Sequence, residues 1–207
     1  MSYEHTNEQY KGHTLKVVSD DDPESPRIDC DNFGTMVCWH RGYDLGDEND
    51  YANVSDFQEW WGEQDGVILE LYLYDHSGIT MSCAPFSCPW DSGQVGYIYA
   101  TREQILKEYG GTRPTKGKRE KARKLLAGEV ETYDQYLTGD VWGYVVEHEA
   151  SGWEDSCWGF YGSDYCEDEA KSSIDRHVAE LRKEKIEQVK TWIRNKVPLY
   201  VRAAALA

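Results

Sequence analysis

Val67-Ile68-Leu69-Glu70-Leu71-Tyr72-Leu73-Tyr74-Asp75, followed by His76-Ser77-Gly78 and then Ile79-Thr80-Met81-Ser82-Cys83, carries the clearest structural signal in the chain. Side chains of a strand alternate between its two faces. Val67, Leu69, Leu71 and Leu73 therefore share a wholly aliphatic face, which belongs in a core. Ile68, Glu70, Tyr72 and Tyr74 share the other, mixed face. The short polar stretch ending in Gly78 is a tight-turn signal, so the two runs are expected to pair as an antiparallel hairpin.

The same reading extends in both directions. Upstream, Leu15 to Val18 and Gly34 to His40 are expected strands, and Ser55-Asp56-Phe57-Gln58 has the form of a capping box opening a short helix through Trp60 and Trp61. Downstream, Val95 to Ala100 is another strand, and Thr101-Arg102-Glu103-Gln104 repeats the capping pattern for a helix ending near Gly110-Gly111. Ala122, Leu126, Val130, Tyr133 and Leu137 fall on one stripe of a helix over 115–137. Val141 to Glu149 and Glu154 to Tyr161 read as a hairpin, with Trp142, Tyr144 and Val146 on one face. A long helix over 164–196 closes the series, with Pro198 just beyond it. Its stripe runs through Ile174, Val178 and Leu181, then resumes out of phase at Ile186, Val189, Ile193 and Val197. That is the pattern of a helix that curves over a sheet or changes partner. Strands outnumber helices and come in adjacent pairs, which predicts an α+β fold: a mostly antiparallel sheet with helices packed on one face and a long C-terminal helix. The length of 207 residues suits one acidic α+β domain spanning 1–207.

Eight Trp and fifteen Tyr against four Phe mean that most rings bring a polar tip needing a partner when buried. No run approaches the ~20 apolar residues of a membrane span, so no membrane association is expected. Met1-Ser2-Tyr3-Glu4-His5 lacks the basic start and apolar stretch of a signal peptide. Cys30, Cys38, Cys83, Cys88, Cys157 and Cys166 are then expected as reduced thiols in a cytoplasm. Their spacing does not form the close pairs of a structural zinc site, and neither a metal nor a cofactor is expected.

The formal net charge of −16 is segmented. Residues 1–101 hold 19 acids and 4 bases, and residues 125–170 hold 12 acids and no base. Residues 102–124 and 171–207 each hold 9 bases, against 3 and 4 acids. An acidic face of this kind suits a basic partner surface and disfavours direct nucleic-acid binding, which needs a basic footprint. The basic run from Arg113 to Lys124 is the one candidate phosphate contact. Glu147 and Glu149 are the clearest alternating acidic pair that a strand could present as a phosphate-like row.

Five stretches carry a family likeness: Asp31–Asp47 (DNFGTMVCWHRGYDLGD), Leu71–Thr80 (LYLYDHSGIT), Pro85–Tyr99 (PFSCPWDSGQVGYIY), Glu131–Gly139 (ETYDQYLTG) and Asp155–Gly162 (DSCWGFYG). Together they resemble a family of small accessory proteins of bacteriophages, prophages and mobile elements. The resemblance implies a phage setting and a bacterial host cytoplasm, and it transfers no catalytic residue.

The candidate binding residues are His40, Asp75, His76, Trp90 and Asp91. Asp75, His76 and Ser77 are consecutive, and neighbours in sequence do not build a Ser-His-Asp triad, so a hydrogen-bonded turn is expected there. Cys88-Pro89-Trp90-Asp91-Ser92-Gly93 offers a stacking face and an acceptor, and Cys88 would need His40 or His76 as a base to act as a nucleophile. Asp29, Asp31, His40, Asp44 and Asp47 form an oxygen-rich set whose order does not match a calcium loop. No catalytic residue is assigned. The expected function is that of a phage-encoded binding protein acting on a host factor, an anti-defence role in which acidic surface engages a basic partner site. The alternative is a small ligand-binding module or hydrolase with a pocket near His40, His76, Trp90 and Asp91.

Overall fold

A computed structural model describes residues 3–28, 30–47 and 50–196. In chain order the first elements are strands β1 (Glu4–Tyr10), β2 (His13–Ser19) and β3 (Thr35–Cys38), helix α1 (Val54–Gly62), and strands β4 (Gly66–Asp75), β5 (Ile79–Ser82) and β6 (Ser92–Thr101). Helices α2 (Arg102–Tyr109) and α3 (Lys116–Thr138), strands β7 (Val141–His148) and β8 (Trp153–Tyr161), and helix α4 (Ser163–Lys196) follow. The fold is α+β with two four-stranded antiparallel sheets and a long C-terminal helix. The chain gathers into two compact units: a central one, Asp22–Val141, and a flanking one made from the residues before and after it. No helix of the described residues is long and apolar enough to cross a membrane.

The central sheet has the order β3-β6-β4-β5. The β4–β5 hairpin pairs Asp75 with Ile79 and Tyr72 with Ser82, in line with the turn signal. Val67, Leu71 and Leu73 are buried with Met36, Met81 and Ile98. Ile105 of α2 and Ala122, Leu126, Val130 and Tyr133 of α3 cover this face. The opposite face carries Val37, Ile68, Tyr97 and Tyr99, and the short helix α1 lays Phe57, Trp60 and Trp61 over it. Phe57 is fully buried in that cluster, within 6.4 Å of six other rings, so the Ile68 end of the mixed face of β4 is covered by aromatic packing while Glu70 stays exposed.

The helix ends follow local chemistry. Thr101 and Gln104 form the expected reciprocal capping box of α2. At α1 the capping residue is Asn53, not the expected Ser55: its side chain accepts from the backbone N–H groups of Ser55 and Asp56. The register of β4 against β6 shifts between Leu71 and Tyr72, leaving Val95 as the extra residue of a bulge. The freed Val95 carbonyl accepts from Trp39 N at 2.8 Å, which draws the end of β3 toward β6.

Arg27 locks the loops before and after β3. Its buried guanidinium donates to both carboxylate oxygens of Asp47 at 2.8 and 2.7 Å, to Glu129 of α3 at 3.0 Å and to the Gly34 carbonyl at 2.8 Å. Glu129 also accepts from Phe33 N and Gly34 N, and Asp47 from Met36 N.

In the flanking unit the strand order is β1-β2-β7-β8. Leu15, Val17, Trp142, Tyr144 and Val146 form its core with Cys166, Ala170 and Ile174 of α4. The shared face expected for Trp142, Tyr144 and Val146 is thus the buried one. The slip in the α4 stripe has a simple meaning. Residues up to His177 pack on the sheet, whereas Ile186, Val189, Trp192 and Ile193 are exposed, so the helix leaves the sheet instead of curving over it. Glu149 lies in the turn after β7, so it does not share a strand with Glu147 and the expected acidic row is not formed. Val197 and Pro198 lie outside the described residues.

Candidate functional site

Four of the five sequence candidates, His40, Asp75, Trp90 and Asp91, line one open cleft of about 480 Å³ in the central unit. The strands bring them together. Asp75 ends β4, Asp91 precedes β6, and Asp75 N donates to the Asp91 carbonyl at 2.8 Å. The bulge side of β6, from Ser92 to Val95, supplies the floor together with Leu73 and Trp39. The fifth candidate, His76, sits at the rim, with Nδ1 3.4 Å from Asp91 Oδ2.

The loop of residues 83–91 is anchored at its base, where the Ser92 hydroxyl donates to the Cys88 carbonyl at 2.5 Å. Trp90 stands on this loop 92% exposed, so it does not plug the core edge. His40 is committed to its own loop. Its Nδ1 accepts from Gly42 N and Tyr43 N, both at 3.2 Å, and its ring stacks on Tyr43 at 5.0 Å. The Tyr43 hydroxyl in turn donates to Asp75 Oδ1 at 3.3 Å. Partial burial and this hydrogen bond raise the Tyr43 phenol above its ordinary value.

Cys88 Sγ lies 3.5 Å from Asp91 Oδ2, and Asp91 stands between the thiol and His76. A nucleophilic thiol needs the imidazole next to it, with a carboxylate behind; here the order is reversed. His76, Ser77 and Gly78 form the hydrogen-bonded turn expected, His76 N donating to Gly78 O and Ser77 taking a φ of 62°. The oxygen-rich set disperses. Asp47 is held by Arg27, Asp31 and Asp44 are exposed, and Asp29 lies outside the described residues. In the basic run, Arg119 donates to Gly66 O and Asp65, tying the start of α3 to the start of β4.

A second cluster, in the flanking unit, has no counterpart among the sequence candidates. His13 at the start of β2, His148 at the end of β7 and His177 of α4 each place one ring nitrogen within 4.8 Å of the others. His13 and His177 are buried, at 1% and 6% exposure, and His148 is half-buried. His13 Nε2 lies 2.7 Å from His177 Nδ1. Trp153 stacks on His177 with centroids 4.0 Å apart and planes 8° from parallel. Burial, together with the imidazoles of His13 and His148, lowers the His177 pKa, while Glu180 and Glu184 oppose the shift.

The thiols divide by burial. Cys38 and Cys166 are both pushed up to about 12, chiefly by burial, while Cys30 and Cys157 are exposed; all six cysteines are free. Comparison of the chain with family models, curated proteins and solved structures finds no match.

Proposed function

We propose that the chain is a phage-encoded binding protein, acting on a host factor, whose central unit takes a lysine or arginine of a basic partner surface into the cleft beside Trp90. The observation that carries this reading is an almost fully exposed indole held next to the carboxylates of Asp75 and Asp91 on an anchored loop. An exposed ring of this size offers a large apolar face for a partner, and a cation laid over it gains about 0.5–2 kcal/mol. Tryptophan and arginine are also the residues that dominate binding energy at protein interfaces. The central unit carries 22 acidic against 11 basic residues, so its field favours approach of a basic surface. Arg41 also lines the cleft, so the attraction centres on the Asp75–Asp91 side.

The test is a titration of the purified chain with an arginine-rich peptide, read by tryptophan fluorescence at low and high salt. Saturable binding that weakens as salt rises is expected, with Trp90→Ala reducing affinity at least about tenfold and Asp75→Asn with Asp91→Asn reducing it further. The same variants should lose capture of the host factor from infected cells. Equal binding by wild type and Trp90→Ala would sink the reading.

A second reading is favoured by the cleft volume, which falls in the range of small-ligand sites. Native mass spectrometry of the chain purified from its host separates it: a stoichiometric small molecule lost in Trp90→Ala would replace the protein partner with a ligand.

A further inference from the structure

We propose that His13, His148 and His177 form a binding site for a divalent transition metal of the zinc class, with three imidazole nitrogens as protein ligands. Neutral imidazole is the commonest nitrogen ligand for zinc, copper and nickel. Three such ligands are one short of the four of a closed structural zinc site, so a bound ion would keep a position for water or an incoming ligand.

Three features of the cluster go beyond proximity. The first is orientation. His13 Nδ1 lies 3.0 Å from the Lys11 carbonyl, which only an N–H can satisfy, so its Nε2 carries the lone pair and faces His177. His148 Nδ1 is paired with the Ser151 hydroxyl at 2.7 Å, leaving its Nε2 for a ligand. Outer hydrogen bonds of this kind are what fix the tautomer and ring direction of metal-bound histidines. The second is rigidity: His13 stacks on His148 at 4.4 Å, meets Trp153 edge-on at 5.5 Å, and Trp153 lies flat on His177. The third is burial that is graded, with two deep imidazoles and a half-buried third on the hairpin end as the point of entry.

Ligand nitrogens around tetrahedral zinc sit about 3.4 Å apart, given Zn–N bonds of about 2.0–2.1 Å. The present 2.7 Å between His13 and His177 would open, and the third nitrogen would close from within 4.8 Å. Binding needs the His177 Nδ1 lone pair, so the proton that bridges the pair would move from Nδ1 to Nε2 of the same ring by exchange with solvent, and the imidazole stays neutral. The ion would then join β2, β7 and the packed half of α4, three elements distant in sequence. Glu180 and Glu184, further along α4, place negative charge near His177 and favour a cation there.

The experiment uses the untagged, chelator-treated full chain, titrated with Zn²⁺ by calorimetry and with Co²⁺ by visible absorption. One equivalent of Zn²⁺ should bind, Co²⁺ should give the intense visible bands of a four-coordinate site, and thermal stability should rise. His148→Gln and His177→Gln should each weaken binding about 100-fold or more, Ser151→Ala about tenfold, and His5→Gln, outside the cluster, should leave it unchanged. A measurement on the wild-type chain guards against misfolded variants. With one equivalent of Zn²⁺, three of the six histidine Cε1–H resonances in the NMR spectrum should shift together. The inference is overturned if wild type takes up no stoichiometric metal at about 100 µM, if the shifted resonances belong to other histidines, or if folded His148→Gln binds as tightly as wild type.

Discussion

Replacing Arg27 with leucine isolates the contribution of one buried cation to the central unit. The Arg27 side chain is 2% exposed, and its partners Asp47 and Glu129 are 22% and 12% exposed. Burial works against its charge, but the hydrogen bonds and charges of Asp47 and Glu129 outweigh that, and the guanidinium pKa is raised. Arg27 therefore stays charged at every working pH. Arg27→Leu removes four hydrogen bonds and leaves the Asp47 and Glu129 carboxylates without their shared counter-charge. Breaking a buried pair in this way costs about 3–5 kcal/mol. Glu129 keeps the Phe33 and Gly34 amides and Asp47 keeps the Met36 amide, so about 3 kcal/mol, the lower end, is expected. That is a large fraction of a typical stability of about 5–15 kcal/mol. In urea unfolding followed by tryptophan fluorescence, the midpoint should fall by about 1–2 M. Adding Asp47→Asn and Glu129→Gln removes the unbalanced charge and should recover about 1 kcal/mol or more. A midpoint within about 0.3 M of wild type would refute the reasoning, because it would mean that the two carboxylates do not depend on Arg27.

Two further outcomes follow from local chemistry. Asn53→Ala should lower stability by about 1 kcal/mol in the same unfolding measurement, while Ser55→Ala should change it by no more than a few tenths, since Asn53 is the residue that accepts from the α1 amides. Native-state alkylation at pH 8, followed by mass spectrometry, should label Cys30 and Cys157 first and Cys38 and Cys166 last, because burial holds the latter pair as thiols; early labelling of Cys166 would contradict the packing of α4 on its sheet.

The elements with a strong internal period were legible in the sequence. The aliphatic face of β4, the stripe of α3 and the Thr101 capping box each follow from spacing alone. Strand β1 was not legible because Glu4-His5-Thr6-Asn7-Glu8-Gln9-Tyr10 has no apolar alternation; it is an exposed edge held by pairing with β2. The capping residue of α1 was misplaced by two positions because Asn53 and Ser55 are both good caps and the sequence does not say which one turns outward. Arg27 looked like any charged loop residue, since its burial depends on Asp47 and on Glu129, which lies 102 positions away.

The same distinction separates the two clusters of polar side chains. Asp75, His76, Trp90 and Asp91 lie at the ends of neighbouring strands, β4 and β6, so a correct strand reading already places them side by side. His13, His148 and His177 lie at the start of β2, the end of β7 and the middle of α4, and none has another histidine or a cysteine at a short motif spacing. Their convergence requires that β2 pair antiparallel with β7, with Thr14 opposite Glu147, which sets His13 level with His148 at that end of the sheet. It also requires α4 to cross that sheet with Ile174 down, which brings His177, one turn later, to the same end. The signal was therefore present as a register: His13 and His148 each flank the hydrophobic run that buries the sheet. The long-range pairing of two flanks separated by the whole central unit was the missing step, and no local pattern supplies it.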